Sequence, residues 1–197
     1  MKKITKTDII NYFIEKNKYK SYLEIGVKNP KTGNFNNIKI KNKLGIEPNP
    51  VITQDNILIC TSDFFFIKNK LKFDIIFIDG LNIEMQVDKD ILHSLDSLND
   101  GGIIILNGCN PPSIKHQKEH IGVDGYGTIW KSYAKLRMTR NDLSMFVVDT
   151  DMGVGIIIKG TQELFPLNKL NYDLLEKNRV KLLNLISVNT FNKIFKN

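Results

Sequence analysis

One stretch near the N-terminus, residues 21–49, constrains the fold of this chain more than any other. It reads S-Y-L-E-I-G-V, then a loop rich in lysine and asparagine, then L-G-I-E-P-N. The pattern predicts a short apolar strand that breaks at Gly26, a glycine-containing loop and helix, and a second strand that ends on Glu47. This arrangement is the first half of a nucleotide-binding α/β unit.

Gly26 and Glu47 are placed to face the same ligand. A glycine lets the chain turn sharply and leaves room beside the carboxyl end of the strand. An acid about 20 residues further on can accept hydrogen bonds from two ribose hydroxyls. A strict G-x-G-x-x-G is absent, because the glycine after Gly26 is Gly33, and this weakens a nicotinamide or flavin interpretation. An ordinary βαβ turn with a surface Glu47 stays open as the alternative.

Strand and helix patterns alternate along the rest of the chain. Apolar runs stand at 56–60, 73–80 and 102–106, and apolar residues recur at helical spacing over 83–98. Asp63 follows the first run, and Asp79 stands near the end of the second. Such alternation predicts a parallel, doubly wound sheet. Residues 143–148 and 155–158 are joined by D-T-D-M-G-V, which is too short for a helical crossover, so these two strands must form an antiparallel hairpin.

The predicted fold is therefore α/β, with a doubly wound, mostly parallel seven-stranded sheet that ends in an antiparallel hairpin. We expect residues 1–160 to form the main domain and residues 161–197 to form a helical C-terminal tail packed on it. The tail could cap the sheet or join two copies of the chain in a homo-oligomer. An N-terminal helix is predicted from a capping box at Thr5 and Asp8 to about Asn17.

Composition narrows the class of protein. The chain has 28 basic and 21 acidic residues, but its lysines are scattered, which disfavours a nucleic-acid surface. A basic cleft for an anionic substrate stays open, with Lys28 and Lys31 as the nearest contributors. Two cysteines, no apolar signal core and no run long enough to span a bilayer favour a reduced, cytoplasmic protein without a membrane partner.

The motifs in their order resemble a known family. They are Y-L-E-I-G-V, G-I-E-P-N-P, T-S-D-F-F, F-D-I-I-F-I-D-G-L, G-G-I-I-I, C-N-P-P, G-T-I-W-K and D-T-D-M-G-V-G-I-I. This set resembles class I S-adenosylmethionine-dependent methyltransferases of the methyltransferase 24-like type, which are associated with glycan and natural-product modification. The resemblance implies S-adenosyl-L-methionine as the cofactor. It also implies roles for five residues: Glu24 and Gly26 border the methionine part, Glu47 holds the ribose hydroxyls, Asp63 faces the adenine amine and Asp79 lies beside the transferred methyl group.

Three positions depart from the family pattern. Asn82 stands where relatives have a histidine after the fourth strand, and Asn107 with Gly108 stands where they have a histidine and an aspartate after the fifth. In metal-dependent relatives the acids hold a divalent ion, and Asp79 with an amide and a glycine is a poor site for one. We therefore expect no metal. Catalysis is either metal-free or lost.

The segment 109–127 is long for a connection inside a domain and is predicted to be a lid over the acceptor. It contains His116 and His120, which are candidate bases beside Asp79, although a solvated loop role for each histidine stays open. The predicted function is O-methyl transfer to a hydroxylated small molecule or sugar. The alternatives are a degenerate binder of the cofactor without catalysis, a nucleic-acid methyltransferase and a different nucleotide-binding α/β enzyme.

Overall fold

One mixed sheet runs through the part of the chain that the computed structural model describes, residues 4–31, 33–52, 54–117 and 127–195. Its eight strands in these residues are β1 (Ser21–Ile25), β2 (Asn42–Ile46), β3 (Ile57–Leu58), β4 (Phe73–Ile78), β5 (Leu98–Asn107), β6 (Leu143–Val148), β7 (Val154–Lys159) and β8 (Leu185–Ile186). Their order is β3-β2-β1-β4-β5-β7-β6-β8. The first five strands are parallel, and β7 runs antiparallel to both of its neighbours.

The predicted fold class is confirmed, including the hairpin of β6 and β7. The strand count differs by one, because the tail contributes a strand that the sequence pattern did not indicate. Leu185 and Ile186 pair in parallel with Val147 and Val148 of β6. Asn184, at φ +47°, ends the preceding helix in the left-handed region and turns the chain into this short strand.

Helices cover both faces of the sheet, as the four consecutive apolar residues of β4 predict. The helices are α1 (Lys6–Asn17), α2 (Ser62–Lys68), α3 (Glu84–Asp96), α4 (Ile129–Thr139), α5 (Tyr172–Leu183) and α6 (Val188–Phe195). Helices α2 to α5 pack with Ile76 and Ile78 on one face. Helices α1 and α6 pack with Ile75 and Phe77 on the other. Alternate residues of β4 thus belong to different cores.

The start of α1 is confirmed in detail. The Thr5 side chain accepts a hydrogen bond from the Asp8 backbone, and the Asp8 carboxylate accepts one from Thr5 N–H at 2.9 Å. This capping box satisfies donors that a helix start otherwise leaves open. The helix ends at Asn17, and Ile9, Ile10 and Phe13 face the core.

The sequence pattern predicts a helix between β1 and β2, and this prediction is wrong. In residues 27–31 and 33–41 the helical element is one 3-10 turn, Phe35–Asn37. Pro30, Gly33 and several asparagines make this stretch a poor helix former, because asparagine side chains compete for backbone hydrogen bonds and glycine has high chain entropy. Helices α1 and α6 cover that face of the sheet instead.

The C-terminal tail wraps around the β6 edge of the sheet. Leu175, Leu182 and Leu183 of α5 lie in the first core, and Phe191 of α6 lies in the second. The Arg137 guanidinium of α4, which is buried, donates to the Leu182 carbonyl at 3.3 Å. No helix in the described ranges is long and apolar enough to cross a membrane.

Candidate functional site

The carboxyl ends of β1, β2 and β4 meet at one edge of the sheet, and a cavity of about 420 Å³ opens there. Ligands of open α/β sheets bind at this edge, and the volume lies in the range of small-molecule sites. The cavity is lined by Ile25, Gly26, Lys28, Ile46, Glu47, Pro48, Thr61, Ser62, Asp63, Asp79, Gly80, Leu81 and Gln86. Four of the predicted cofactor-binding residues are therefore brought together.

Gly26 allows the tips of β1 and β4 to approach each other. Its φ is +85°, and its N–H donates to the Ile46 carbonyl at 2.8 Å. A Cβ added at Gly26 would lie 2.3 Å from the Cα of Gly80. The position requires glycine both for its backbone angle and for space.

Glu47 follows β2 and is buried at the edge of the cavity. Its Oε2 accepts the Lys28 N–H at 2.8 Å, and its Oε1 accepts the Asn49 N–H at 3.0 Å. An ionised carboxylate has about four acceptor positions, so each oxygen retains capacity for a further donor. Lys28 has φ +56°, an unusual angle for a side-chain-bearing residue that is held here by the bond to Glu47.

Asp63 lies in the first turn of α2, and not at the tip of β3 as the sequence pattern indicated. Its carboxylate accepts from the Gln86 amide at 2.9 Å and from the Lys89 ammonium at 3.1 Å. Both bonds lower the pKa of Asp63, and the bond from Gln86 has the largest effect. Gln86 also donates to the buried Asp90 at 3.0 Å. Sequence reasoning missed Gln86 as part of the cavity wall.

A second, polar cavity of about 390 Å³ adjoins the first and shares Gly26, Lys28 and Asp79 with it. Glu24 of β1 lines this cavity although its side chain is almost completely buried. Its Oε2 accepts from the Tyr22 hydroxyl and from the Asn34 amide, the latter at 2.9 Å. Burial raises the pKa of Glu24 to about 7. The predicted cofactor residue Glu24 is thus separated from the first cavity and belongs to the second.

Asp79 stands between the two cavities. Its Oδ2 accepts from the Lys6 ammonium at 2.8 Å, and its Oδ1 accepts from the Lys28 ammonium and the Asn107 amide, both at 3.3 Å. Of the two lysines that the sequence leaves open as contributors to a basic cleft, Lys28 lines both cavities, whereas Lys31 is exposed and lines neither. Lys6 was missed, because a lysine in the first turn of a helix is an ordinary surface residue by pattern alone.

The two candidate histidines are not part of this geometry as described. His116 lies in a 3-10 turn, Ile114–Gln117, where its Nδ1 is 2.8 Å from the Ser113 hydroxyl, and it lines neither cavity. His120 lies outside the described residues, as does much of the predicted lid. The base of that segment is tied to the tail, because the Arg179 guanidinium donates to the Pro111 carbonyl at 2.9 Å.

Comparison with known proteins gives similarity at the level of structure. No family model matches the sequence, and no curated protein matches it. The chain is similar to the cofactor-bound protein Rv0187 of MTB, with a TM-score of 0.59, 12% identity and coverage of 81% of this chain and 82% of that one. It is also similar to an S-adenosylhomocysteine-bound methyltransferase of Podospora anserina, with a TM-score of 0.56, 15% identity and coverage of 83% and 80%.

A third similar structure is the O-methyltransferase TomG of Streptomyces achromogenes, in complex with S-adenosylmethionine. Its TM-score is 0.56 at 10% identity, with coverage of 78% of this chain and 79% of that one. At such identities a likeness establishes architecture and leaves activity open. The chain has the Rossmann-like fold of class I methyltransferases.

Proposed function

We propose that this protein binds S-adenosyl-L-methionine across the two adjoining cavities and transfers its methyl group to an oxygen of a hydroxylated small molecule or sugar. The observation that carries the proposal is Glu47, whose buried carboxylate faces the larger cavity beside Gly26 with acceptor capacity left on both oxygens. Two adjacent ribose hydroxyls are the donors that such a carboxylate suits.

The residues of the two cavities fit the two ends of the cofactor. Ile46, Pro48 and Leu81 offer apolar surface for an adenine ring in the larger cavity, and Asp63 offers an acceptor for its amine. In the polar cavity, the carboxylate of Glu24 is the group that would accept from the α-ammonium of the methionine part. Gly26 borders both cavities and leaves the space where the two parts of the cofactor join.

When bound, the cofactor would supply an activated methyl group, and the electron pair of its C–S bond would remain on sulfur when the acceptor oxygen takes that methyl group. The chain has to align the acceptor oxygen and receive its proton. Asp79 adjoins both cavities and is the candidate base that the described geometry favours over His116. Asn107 holds the Asp79 carboxylate from the side of β5.

A second candidate function is a cofactor-binding protein without catalysis. The observation that favours it is that both oxygens of Asp79 already accept hydrogen bonds from Lys6, Lys28 and Asn107, which leaves less acceptor capacity for a substrate hydroxyl. The two functions share the donor site. They differ in turnover, which radiolabelled methyl transfer would measure once calorimetry has established binding.

Replacing Glu47 with alanine should weaken S-adenosylmethionine binding by about 1.5 to 3 kcal/mol, because a charge-assisted acceptor for two hydroxyls is lost. Isothermal titration calorimetry with S-adenosylmethionine and S-adenosylhomocysteine measures the change. Asp55→Ala is the matched control, since Asp55 is an exposed acid near the start of β3 and lines neither cavity. Equal affinity in the parent and in Glu47→Ala, or preferential binding of NAD, would contradict the proposed function.

A further inference from the structure

The family resemblance of the sequence implies a divalent ion at Asp79 in metal-dependent members, but the surroundings of this carboxylate do not fit one. Lys6 is 2.8 Å from Oδ2, and Lys28 and Asn107 are each 3.3 Å from Oδ1. A magnesium ion needs several oxygen ligands in near-octahedral geometry. An ion at Asp79 would be repelled by the two ammonium groups that are already bonded to this carboxylate.

The neighbouring strand offers no second carboxylate. Asn107 presents its amide nitrogen to Asp79, so its oxygen is directed away, and that buried oxygen has no hydrogen-bond partner among the residues described. Gly108 follows without a side chain. Across the described ranges, no three His, Cys, Asp or Glu side chains gather as a metal site would require. The groups around Asp79 are therefore ammonium and amide groups, whereas hard divalent ions prefer anionic oxygen ligands.

Hydrogen bonds to the backbone at and before Lys6 hold this residue in place. Its N–H donates to the Asp151 carboxylate at 2.6 Å, and the Thr150 hydroxyl donates to the Ile4 carbonyl, so the hairpin turn after β6 fixes the start of α1. The ammonium also lies 5.5 Å from the centre of the Phe77 ring. The side chain of Lys6 is 25% exposed, against 62% for Lys28. Of the two lysines at Asp79, Lys6 is the less exposed to solvent.

We propose that Lys6 is the resident cation of the reaction centre and that its ammonium takes the position of a divalent metal ion at Asp79. This inference rests on the methyltransferase function proposed above. An ammonium group has three donors, and Lys6 also lines the polar cavity. An acceptor oxygen is then held by hydrogen bonds from a fixed ammonium, and not by chelation of two neighbouring oxygens to a metal. Turnover is independent of added metal and insensitive to a chelator.

Manganese binding measured by calorimetry tests the exclusion of metal. The parent and Asn107→Asp should bind no Mn²⁺ at millimolar concentration, because Lys6 still occupies the position. Lys6→Met combined with Asn107→Asp supplies two carboxylates without the Lys6 ammonium, and we expect it to bind Mn²⁺ with a dissociation constant at least about tenfold below the highest Mn²⁺ concentration at which Asn107→Asp shows no binding. Lys16→Met combined with Asn107→Asp is the matched control, because Lys16 lies in the last turn of the same helix, away from the cavities. This control should behave as Asn107→Asp does.

Manganese binding by the parent, or equal binding by the two double variants, would overturn the inference. Calorimetry with S-adenosylmethionine provides a second test of the role of Lys6, and this test does not depend on the double variant. Lys6→Met and Lys6→Arg should bind the cofactor within about threefold of the parent, because Lys6 lines the polar cavity but the proposal gives it a bond to the acceptor oxygen and none to the cofactor. A loss of about tenfold or more in Lys6→Met would make Lys6 a cofactor residue and overturn the proposal. If the parent itself fails to bind the cofactor, the proposed function fails, while the manganese result still decides whether Lys6 excludes a metal.

Discussion

Replacing Gly26 with alanine should lower the free energy of unfolding by about 4 kcal/mol. About 1 to 2 kcal/mol comes from the backbone angle, because Gly26 has φ +85°, where a Cβ meets the following carbonyl. The remainder comes from overlap, because the new Cβ would lie 2.3 Å from the Gly80 Cα and 2.5 Å from the Asp79 carbonyl oxygen. Backbone atoms of β4 cannot rotate away as a side chain could. Chemical denaturation of the parent and Gly26→Ala measures the difference.

Gly101→Ala separates the two causes. Gly101 also has a positive φ, +74°, but an added Cβ would have no neighbour within 4 Å. In this control only the backbone angle is unfavourable, so its free energy of unfolding should fall by about 1 to 2 kcal/mol. If Gly26→Ala is no less stable than Gly101→Ala, the tips of β1 and β4 can separate, and the close approach at the cavity is not a constraint on the fold.

The residues that sequence analysis located most accurately are those at strand ends. Gly26, Glu47 and Asp79 each follow an apolar run, and the carboxyl ends of parallel strands fall at one edge of a sheet. Their convergence follows from local patterns plus one topological rule. The hairpin of β6 and β7 could be predicted for a similar reason, because a six-residue connection D-T-D-M-G-V excludes a helical crossover.

Local patterns misplaced other residues. The third strand is shorter than its apolar run, because Thr61 accepts from the Phe64 N–H and begins α2, which moves Asp63 into the helix. The Asn-Asp-Gly run at 99–101, a strong turn signal, lies inside β5, where the pairing with β4 shifts register between Phe73 and Ile75. In both cases a cap or an irregular strand pairing outweighed composition.

Lys6 and Asn34 illustrate what no local pattern encodes. Lys6 reaches Asp79 across 73 positions of sequence, and Asn34 reaches Glu24 from the segment between β1 and β2, where the pattern predicted a loop and a helix. Each contact depends on how α1 and the loop after β1 pack over the sheet. Such packing is a property of the whole chain, and it determines the electrostatics of the site.

Glu24→Gln should stabilise the protein without ligand, and the gain should grow with pH. Burial raises the pKa of Glu24 from 4.5 to about 7 in the folded chain. Below pH 4.5 the group is protonated in both states, so it contributes no difference. Between the two pKa values the unfolded chain releases a proton that the folded chain keeps, and the free energy of unfolding falls as the pH rises. Above pH 7 the full penalty of about 3 kcal/mol is present.

Glutamine has no such titration, and its Oε1 can still accept from Tyr22 and Asn34, which both bond to one oxygen of Glu24. The stability difference between Glu24→Gln and the parent should therefore increase by about 2.5 kcal/mol from pH 5 to pH 8. Urea denaturation at the two pH values measures it. Glu163→Gln, at an exposed acid, should show the same difference from the parent at both. A difference that does not change with pH for Glu24→Gln would mean that the folded chain ionises Glu24 already near pH 5.

Under the proposed function, the protonation of Glu24 should also control the affinity for S-adenosylmethionine. An α-ammonium group is attracted by ionised Glu24 and gains little from the protonated acid, so S-adenosylmethionine affinity of the parent should fall by about tenfold between pH 8 and pH 6. Glu24→Gln should bind weakly with little change over that range, even though it is the more stable protein. Removing the charge of this buried acid favours folding, which explains the higher stability of Glu24→Gln. The same change removes the electrostatic partner of the ammonium group, which explains the weaker binding, so the acid lowers stability and serves the ligand. If the affinity of the parent does not change between pH 6 and pH 8, Glu24 does not contact the ammonium, and the polar cavity holds another part of the ligand.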